Sequence, residues 1–195
     1  PITMSAFERG IHVFLEKPPV VRIQDYRLLE ERAAECGCAC VVGFHDIARR
    51  EIQSLKKAIV ENSIGKLKSI QGYAFWRRTD RYYARSSWAG KLMVNGHYVL
   101  DGPMNNSCAH LLNLACFLSG TTIDGFSKPT VVQGELYRAA PTESEDTDCV
   151  RSLMESGVRV CLHLTQAARR SYPRVLVVTG ESGQARFSDA EGITF

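Results

Sequence analysis

The segment Gly10-Ile11-His12-Val13-Phe14-Leu15-Glu16-Lys17-Pro18 decides how the chain begins to fold. Its apolar middle lies between a glycine that can close a helix and a Pro18-Pro19 pair that cannot continue a strand. This pattern predicts a short buried strand of a parallel sheet. A helix over 23–36 and a second strand over 39–44 follow. The segment therefore opens a right-handed strand–helix–strand unit.

After residue 46 the pattern changes. It predicts helices over 47–62 and 103–118, a long strand over 67–77, and further strands near 130–139, 147–155, 158–166 and 174–179. Ser156-Gly157 separates two of these strands as a hairpin turn, which is typical of antiparallel pairing. We therefore predict an α/β unit over residues 1–46 and an α+β unit over residues 47–195. The second unit has an open, largely antiparallel sheet with helices on one face.

Composition excludes several classes of protein. Of 195 residues, 45% are hydrophobic and 23% are charged, which is typical of a globular domain and unlike a disordered chain. No apolar run approaches the roughly 20 residues of a membrane-spanning helix, so we expect no membrane partner. A net charge of +3 gives no reason to expect a nucleic-acid partner. Seven cysteines and a start without a secretory leader lead us to expect a cytoplasmic protein.

Lys17 is the first candidate for chemistry. Glu16-Lys17-Pro18 lies at the carboxyl end of the first predicted strand, where open parallel sheets place their ligand crevices. An amine at that edge can hydrogen-bond a substrate hydroxyl and share its proton. The alternative is an ordinary surface lysine after a strand, and the tripeptide by itself favours that alternative.

A polar stripe on the predicted helix 103–118 is the second candidate. Asn106, His110 and Asn113 are spaced i, i+4 and i+7, so their side chains share one face. Asn106 would then position His110, whose imidazole exchanges a proton near neutral pH. The alternative is a solvent-facing stripe, because amphipathic helices usually carry one.

Arginines alternate with aromatic residues between Trp76 and Gly90. Such side chains stack on and hydrogen-bond a sugar ring, a carboxylate or a nucleic-acid backbone. The candidate substrate-binding residues are Arg77, Arg81, Arg85 and Trp88. The alternative is a solvated loop whose aromatic rings pack against the protein.

Two patterns argue against other sites. Cys36-Gly37-Cys38-Ala39-Cys40 lacks the second cysteine pair or the histidines of a zinc site, so we expect buried thiols and no bound metal. No two of the 15 glycines are separated by a single residue. The sequence therefore contains no G-x-G fingerprint for dinucleotide phosphates.

The motifs together resemble those of a known family. Residues 10–18 resemble its G-k-h-V-f-x-E-K-P strand, residues 41–44 the next strand, residues 58–67 the entry to its second domain, and residues 177–183 a late sheet turn. Trp88-Ala89-Gly90 and residues 106–110 fall where this family lines its substrate pocket. It is the family of glucose–fructose oxidoreductase, inositol dehydrogenase and MocA. The resemblance implies the C-terminal part of a Rossmann-type parallel sheet followed by a substrate domain. The chain would then be a fragment, with the phosphate-binding loop upstream.

The resemblance also implies an activity and its residues. Such an enzyme uses NAD or NADP to move hydride to or from a hydroxyl-bearing carbon of a sugar, cyclitol or derivative. Its cofactor motif corresponds to Glu16, Lys17 and Pro18, and its proton-handling residues to Lys17 and His110. Asn106 stands where the family has an aspartate. The lost charge lowers the expected pKa of His110 and keeps open a non-catalytic regulator or scaffold.

The predicted sheet supplies more apolar surface than two helices can cover. The residues in question are Val132, Leu136, Leu153, Val160, Leu162, Leu164, Val175 and Val177. An uncovered apolar sheet face normally marks an interface, and members of the resembled family pair through that face. We therefore expect a homodimer or a higher homo-oligomer, built sheet against sheet.

Overall fold

The first part of the chain is a small parallel unit. The computed structural model describes residues 2–195. The unit consists of helix α1 (Ile2–Phe7), strand β1 (Val13–Leu15), helix α2 (Ile23–Glu35) and strand β2 (Cys40–Val42). β1 and β2 pair in parallel, so the predicted strand–helix–strand unit is confirmed. Because both strands end at one edge, the residues that follow them lie side by side.

An open sheet dominates the rest of the chain. The elements are, in order, a 3-10 turn (His45–Ala48), α3 (Arg50–Val60), β3 (Leu67–Phe75), α4 (Asp80–Tyr83), β4 (Met93–Val94), β5 (His97–Tyr98), a π-helical turn (Pro103–Ser107), α5 (Ala109–Leu118), β6 (Pro129–Tyr137), β7 (Thr147–Met154), β8 (Arg159–Thr165), β9 (Val175–Gly180), β10 (Gln184–Ser188) and β11 (Gly192–Thr194). Seven strands form one sheet in the order β11-β10-β9-β3-β8-β7-β6. Only β3 and β8 pair in parallel, so the predicted open, largely antiparallel sheet is confirmed.

Helices α3 and α5 cover one face of this sheet. Apolar residues of both helices pack on alternate residues of the strands, and both sets are fully buried. The helices contribute Ile52, Leu55, Leu111 and Leu114, and the strands contribute Ile70, Leu162, Leu176 and Val178. A Cβ on Gly72 of β3 would lie 2.6 Å from a methyl of Leu162 and 3.0 Å from a methyl of Leu111. Glycine there lets α5 approach the strands closely. No helix within residues 2–195 has the length and apolar character needed to cross a bilayer.

The predicted continuous helix over 103–118 is wrong. The structure divides it into the π-helical turn and α5, with the break at Cys108. The backbone N–H of Met104 donates to Asp148 Oδ2 at 2.8 Å, and the N–H of Cys108 donates to the carbonyl of Pro103 at 2.7 Å. The buried carboxylate on β7 thus takes a donor at the start of the turn, and the wider turn replaces regular α-helical geometry.

The uncovered face of the sheet is more polar than the sequence suggests. Val160, Leu162 and Leu164 belong to the helix-covered core, so they do not contribute to an open apolar surface. On the uncovered face, exposed apolar side chains concentrate on the edge strand β6 and its neighbour β7, at Val131, Tyr137 and Leu153, whereas Val132 and Leu136 lie on the other face of β6. The expected apolar surface is therefore confined to one edge of the sheet.

Candidate functional site

Lys17 joins the parallel unit to the π-helical turn. Its Nζ donates to the backbone carbonyl of Asn106 at 2.8 Å and to Asn106 Oδ1 at 2.9 Å. The side chain is half-buried, and burial lowers its pKa, although the charges of Glu16 and Asp101 act in the opposite direction. An ammonium group has three donors, and Asn106 accepts two of them. One donor therefore remains for a ligand, and the lowered pKa makes the neutral amine more accessible.

Asp101 fixes the orientation of Asn106. The buried Asp101 accepts through Oδ1 from Asn106 Nδ2 and through Oδ2 from the backbone N–H of Gly90 at 2.8 Å. Arg85 Nη2 lies 3.7 Å from the same Oδ2. Because the amide nitrogen of Asn106 is bound to Asp101, its amide oxygen faces Lys17. The four side chains form one connected polar wall.

His110 lies in the first turn of α5 with an unpaired ring nitrogen. Its Nδ1 is buried and has no hydrogen-bond partner among residues 2–195. The ring packs against His45 at 4.5 Å and Phe44 at 5.8 Å between centroids, and Nδ1 lies 4.0 Å from Asp46 Oδ2. Burial lowers the pKa of His110, and the charge of Asp46 opposes that effect. The lowered pKa favours the neutral imidazole, and Nδ1 stays without a partner in the part of the chain that the structure describes.

An ion-pair network holds the carboxylate beside His110. Arg174 Nη1 donates to Asp46 Oδ2 at 2.6 Å, and its Nε and Nη2 donate to Asp189 at 2.8 and 3.1 Å. Burial acts to lower the pKa of Arg174, but these hydrogen bonds outweigh it and raise that pKa. The guanidinium anchors the turn after β2 to β9 and to the end of β10.

His45, Asp46 and His110 also form a possible ligand set for a metal. Within the described part of the chain they are the one group of three such residues whose ligand atoms lie within 4.8 Å of one another. Arg174 already occupies the Asp46 carboxylate, and its positive charge opposes a cation there. The absence of a bound metal stays a prediction.

The predicted contact between Asn106 and His110 is wrong. The hydrogen bonds of the Asn106 side chain go to Lys17 and Asp101. The i, i+4 rule applies to a regular α-helix, whereas Asn106 lies in the π-helical turn and His110 in α5, on either side of Cys108. Asn106 thus acts on the lysine of the site and not on its histidine.

The predicted substrate residues divide into two groups. Arg85 lies 3.7 Å from Asp101 and stacks on the ring of Trp88 at 4.9 Å, so both side chains adjoin the polar wall. Arg77 and Arg81 are exposed, and neither side chain makes a hydrogen bond or an ion pair within residues 2–195. A substrate role for all four residues stays a prediction.

Sequence reasoning missed three residues of the site. Asp101 precedes Gly102-Pro103 and was not among the candidates, yet it accepts two hydrogen bonds that shape the wall. Asp46 follows β2, so the rule that singled out Lys17 after β1 applies equally to it. Arg174 gives no local signal, since its role depends on strand pairing far along the chain.

The fold and this site define a class of protein, the dinucleotide-binding oxidoreductases with a separate open-sheet domain. Residues 52–186 match the model of the GFO/IDH/MocA C-terminal domain, and residues 1–44 match that of the oxidoreductase family with an NAD-binding Rossmann fold. The chain belongs to the GFO/IDH/MocA family. The resemblance drawn from the sequence is therefore confirmed, and NAD is confirmed as the cofactor of this family.

Individual relatives are distant in sequence and close in fold. D-glucoside 3-dehydrogenase of Escherichia coli (strain K12) is 25% identical over 118 residues, which are 60% of this chain and 32% of that protein. The WlbA dehydrogenase of Bordetella pertussis, solved with NADH and UDP-GlcNAcA, has a TM-score of 0.84 at 23% identity, over 98% of this chain and 56% of its own. An inositol dehydrogenase homolog of Azotobacter vinelandii, solved with NADH and myo-inositol, has a TM-score of 0.78 at 17% identity. The match covers 98% of this chain and 48% of that one. The chain spans about half the length of these solved relatives.

Proposed function

We propose that the chain forms part of an NAD(P)-dependent dehydrogenase that acts on a hydroxyl-bearing carbon of a sugar, cyclitol or derivative. The observation that carries this proposal is the spare donor of Lys17 together with the unpaired Nδ1 of His110, whose pKa the charge of Lys17 also acts to lower. Membership in the oxidoreductase family supplies the reaction class. The division into units 1–46 and 47–195 is part of the proposal.

The residues present fit the nicotinamide end of the cofactor. Glu16, Lys17 and Pro18 follow β1 at the carboxyl edge of the parallel pair, where such sheets bind ligands. The unpaired buried nitrogen of His110 and the free donor of Lys17 give this edge polar groups that have no partner among the described residues, 2–195. These residues would hold the nicotinamide beside the substrate, and a bound nicotinamide supplies hydride exchange.

Lys17 handles the proton of the substrate hydroxyl in this proposal. A neutral amine accepts that proton when the alcohol is oxidised, and the ammonium returns it in the opposite direction. Burial favours the neutral amine, and the two acceptors on Asn106 hold Nζ in place. His110 binds the same oxygen or a neighbouring hydroxyl through its free ring nitrogen, while Asn106 positions Lys17.

Kinetics of the complete protein that contains this chain test the proposal. Lys17→Ala should lower kcat/KM for the best sugar or polyol of a panel by at least about a hundredfold, since acid–base and orientation effects are of that size. The unfolding midpoint should change little. Lys68→Ala, which removes only an exposed ion pair with Glu181, is the matched control. The proposal would be contradicted, and a regulator or scaffold favoured, if no compound of the panel supported NAD(P)-linked turnover or if Lys17→Ala turned over its substrate normally.

We also propose that two copies associate through the uncovered sheet face. A groove of about 550 Å³ crosses it, and its lining includes Gln71, Val131, Gln133, Arg151, Leu153 and Cys161. Its apolar edge on β6 and β7 would lie at the centre of the interface. Sedimentation at micromolar concentration should give a dimer, and a single species of 21.7 kDa would contradict it.

A further inference from the structure

Arg78 is held between two aromatic rings just after β3. Its guanidinium carbon lies 4.3 Å from the ring centroid of Tyr82 and 5.1 Å from that of Trp76. Stacking on π faces fixes the plane of a guanidinium without using its N–H groups. The donors of Arg78 are therefore oriented and still available.

The Arg78 side chain makes no hydrogen bond in the described part of the chain. Arg78 Nε is buried and makes no hydrogen bond within residues 2–195, and none of the ion pairs found there within 4.0 Å includes Arg78. Arg85 and Arg174, by contrast, each face a carboxylate. A buried donor without a partner is unfavourable, and a ligand oxygen that accepts its hydrogen bond removes that cost.

Hydrogen bonds connect Arg78 to the π-helical turn of the site. Its backbone N–H donates to the carbonyl of Gln166 at 2.8 Å, and Gln166 Nε2 donates to Ser107 Oγ at 2.6 Å. Ser107 is the neighbour of Asn106. Burial raises the pKa of Cys108 to about 11, and the charge of Arg78 opposes that rise. The segment after β3 that carries Arg78 is thus connected through Gln166 to Ser107, the neighbour of Asn106.

We propose that Arg78 binds an oxyanion on the substrate, so that the enzyme acts on a sugar or polyol that carries a carboxylate or a phosphate. This inference rests on the proposed function. The guanidinium fork matches either group in a bidentate manner. The anion would then lie at Arg78 while a hydroxyl of the same molecule reaches Lys17.

Calorimetric titration of the 195-residue chain tests the inference. The probes are glucose, glucuronate and glucose 6-phosphate. At least one anionic probe should bind ten or more times more tightly than glucose, and Arg78→Met should abolish that preference. Arg78→Lys should keep part of it, because the charge remains and the fork is lost. Arg170→Met is the matched control, since Arg170 also stacks on a ring but its Nε already donates to Tyr172.

The outcomes separate the possible anions and the two proposals. A preference for glucuronate alone identifies a carboxylate, and one for glucose 6-phosphate alone identifies a phosphate; either supports the inference. Equal affinity for glucose and both anions overturns it, as does an unchanged preference in Arg78→Met or its loss in Arg170→Met. If Arg78→Met fails to fold, Arg78→Lys decides between these results. Because binding is measured without turnover, a positive result stands even if the complete protein moves no hydride.

Discussion

The two ends of α5 differ in how their buried polar groups are satisfied. At the C-terminal end, Lys56 has no exposed surface, and its Nζ donates to the carbonyls of Phe117, Gly120 and Gly125, the last two at 2.7 and 3.0 Å. Every donor of that ammonium is used. At the other end, buried atoms of Arg78, His110 and Asp148 have no partner within residues 2–195.

The difference shows which buried lysine is structural. Burial lowers the pKa of both Lys17 and Lys56, the latter to about 8, so the pKa alone does not distinguish them. The distinction lies in the donors left over, none at Lys56 and one at Lys17. A buried group whose hydrogen bonds are all used stabilises the fold, whereas one with a free position can bind a ligand.

The largest expected effect on stability is at the C-terminal end of α5, where every donor of Lys56 is used. Lys56→Met should lower the free energy of unfolding by about 3–5 kcal/mol, because three buried carbonyls lose their donor together. Lys57→Met provides the control, since Lys57 is exposed and forms only an i, i+4 pair with Glu61; its loss should stay below about 0.5 kcal/mol. Urea unfolding of both variants measures the difference. A similar small loss in both would remove the contrast between the two ends.

A somewhat smaller effect is expected from Asp148, at the unsatisfied end. Burial raises its pKa from 3.8 to about 6. The folded state therefore binds this proton more tightly than the unfolded state. The resulting stabilisation is complete below about pH 3.8 and is lost as the pH rises through about 6. A shift of about two units corresponds to about 3 kcal/mol.

Asp148→Asn cannot titrate, so it isolates this contribution. The stability of the variant relative to the natural protein should rise by about 2.4 kcal/mol between pH 4 and pH 7, as measured by urea unfolding at several pH values. Parallel curves for Asp148→Asn and the natural protein would mean that the pKa of Asp148 is the same in the folded and unfolded states, so that burial does not raise it.

The smallest effect is expected from a substitution that tests whether the side chain of Asn106 contacts Lys17 or His110. Asn106→Asp places a negative charge against Lys17 Nζ and also replaces the donor to Asp101 by a second carboxylate, so the pKa of Lys17 should rise by about one unit and that of His110 should hardly change. Titration of both side chains by NMR measures the two values. Asn95→Asp, the same change at an exposed turn, should move neither. A shift in the pKa of His110 alone would support the contact between Asn106 and His110 that helical spacing predicts.

Local sequence signals account for what could be predicted. The strand β1, the helix α2 and the position of Lys17 each follow from a few adjacent residues, since glycine and proline bound the strand on both sides. The hairpin of β4 and β5 was missed although Asn95-Gly96, with φ of 49° and 78°, is a typical hairpin turn.

The rest of the site depends on partners that no local pattern reveals. In the π-helical turn, the N–H of Met104 donates a hydrogen bond to Asp148 of β7, and the carbonyl of Asn106 accepts one from Lys17. Helical spacing is a valid rule for a regular helix and fails at Asn106 because these contacts change the geometry. The polar character of the open sheet face likewise follows from strand register, which decides that Val160 and Leu162 point toward the helices.

The contact of Lys17 with Asn106 joins residues 89 positions apart, and that of Asp46 with Arg174 joins residues 128 positions apart. The strand pairs β3–β8 and β3–β9 close loops of similar length, but each is held by a ladder of neighbouring residues, whereas these two contacts rest on single side chains. The same contacts are then expected to open first in partially destabilised protein. Catalytic competence should consequently decline at lower denaturant concentrations than the far-ultraviolet circular dichroism of the sheet and helices.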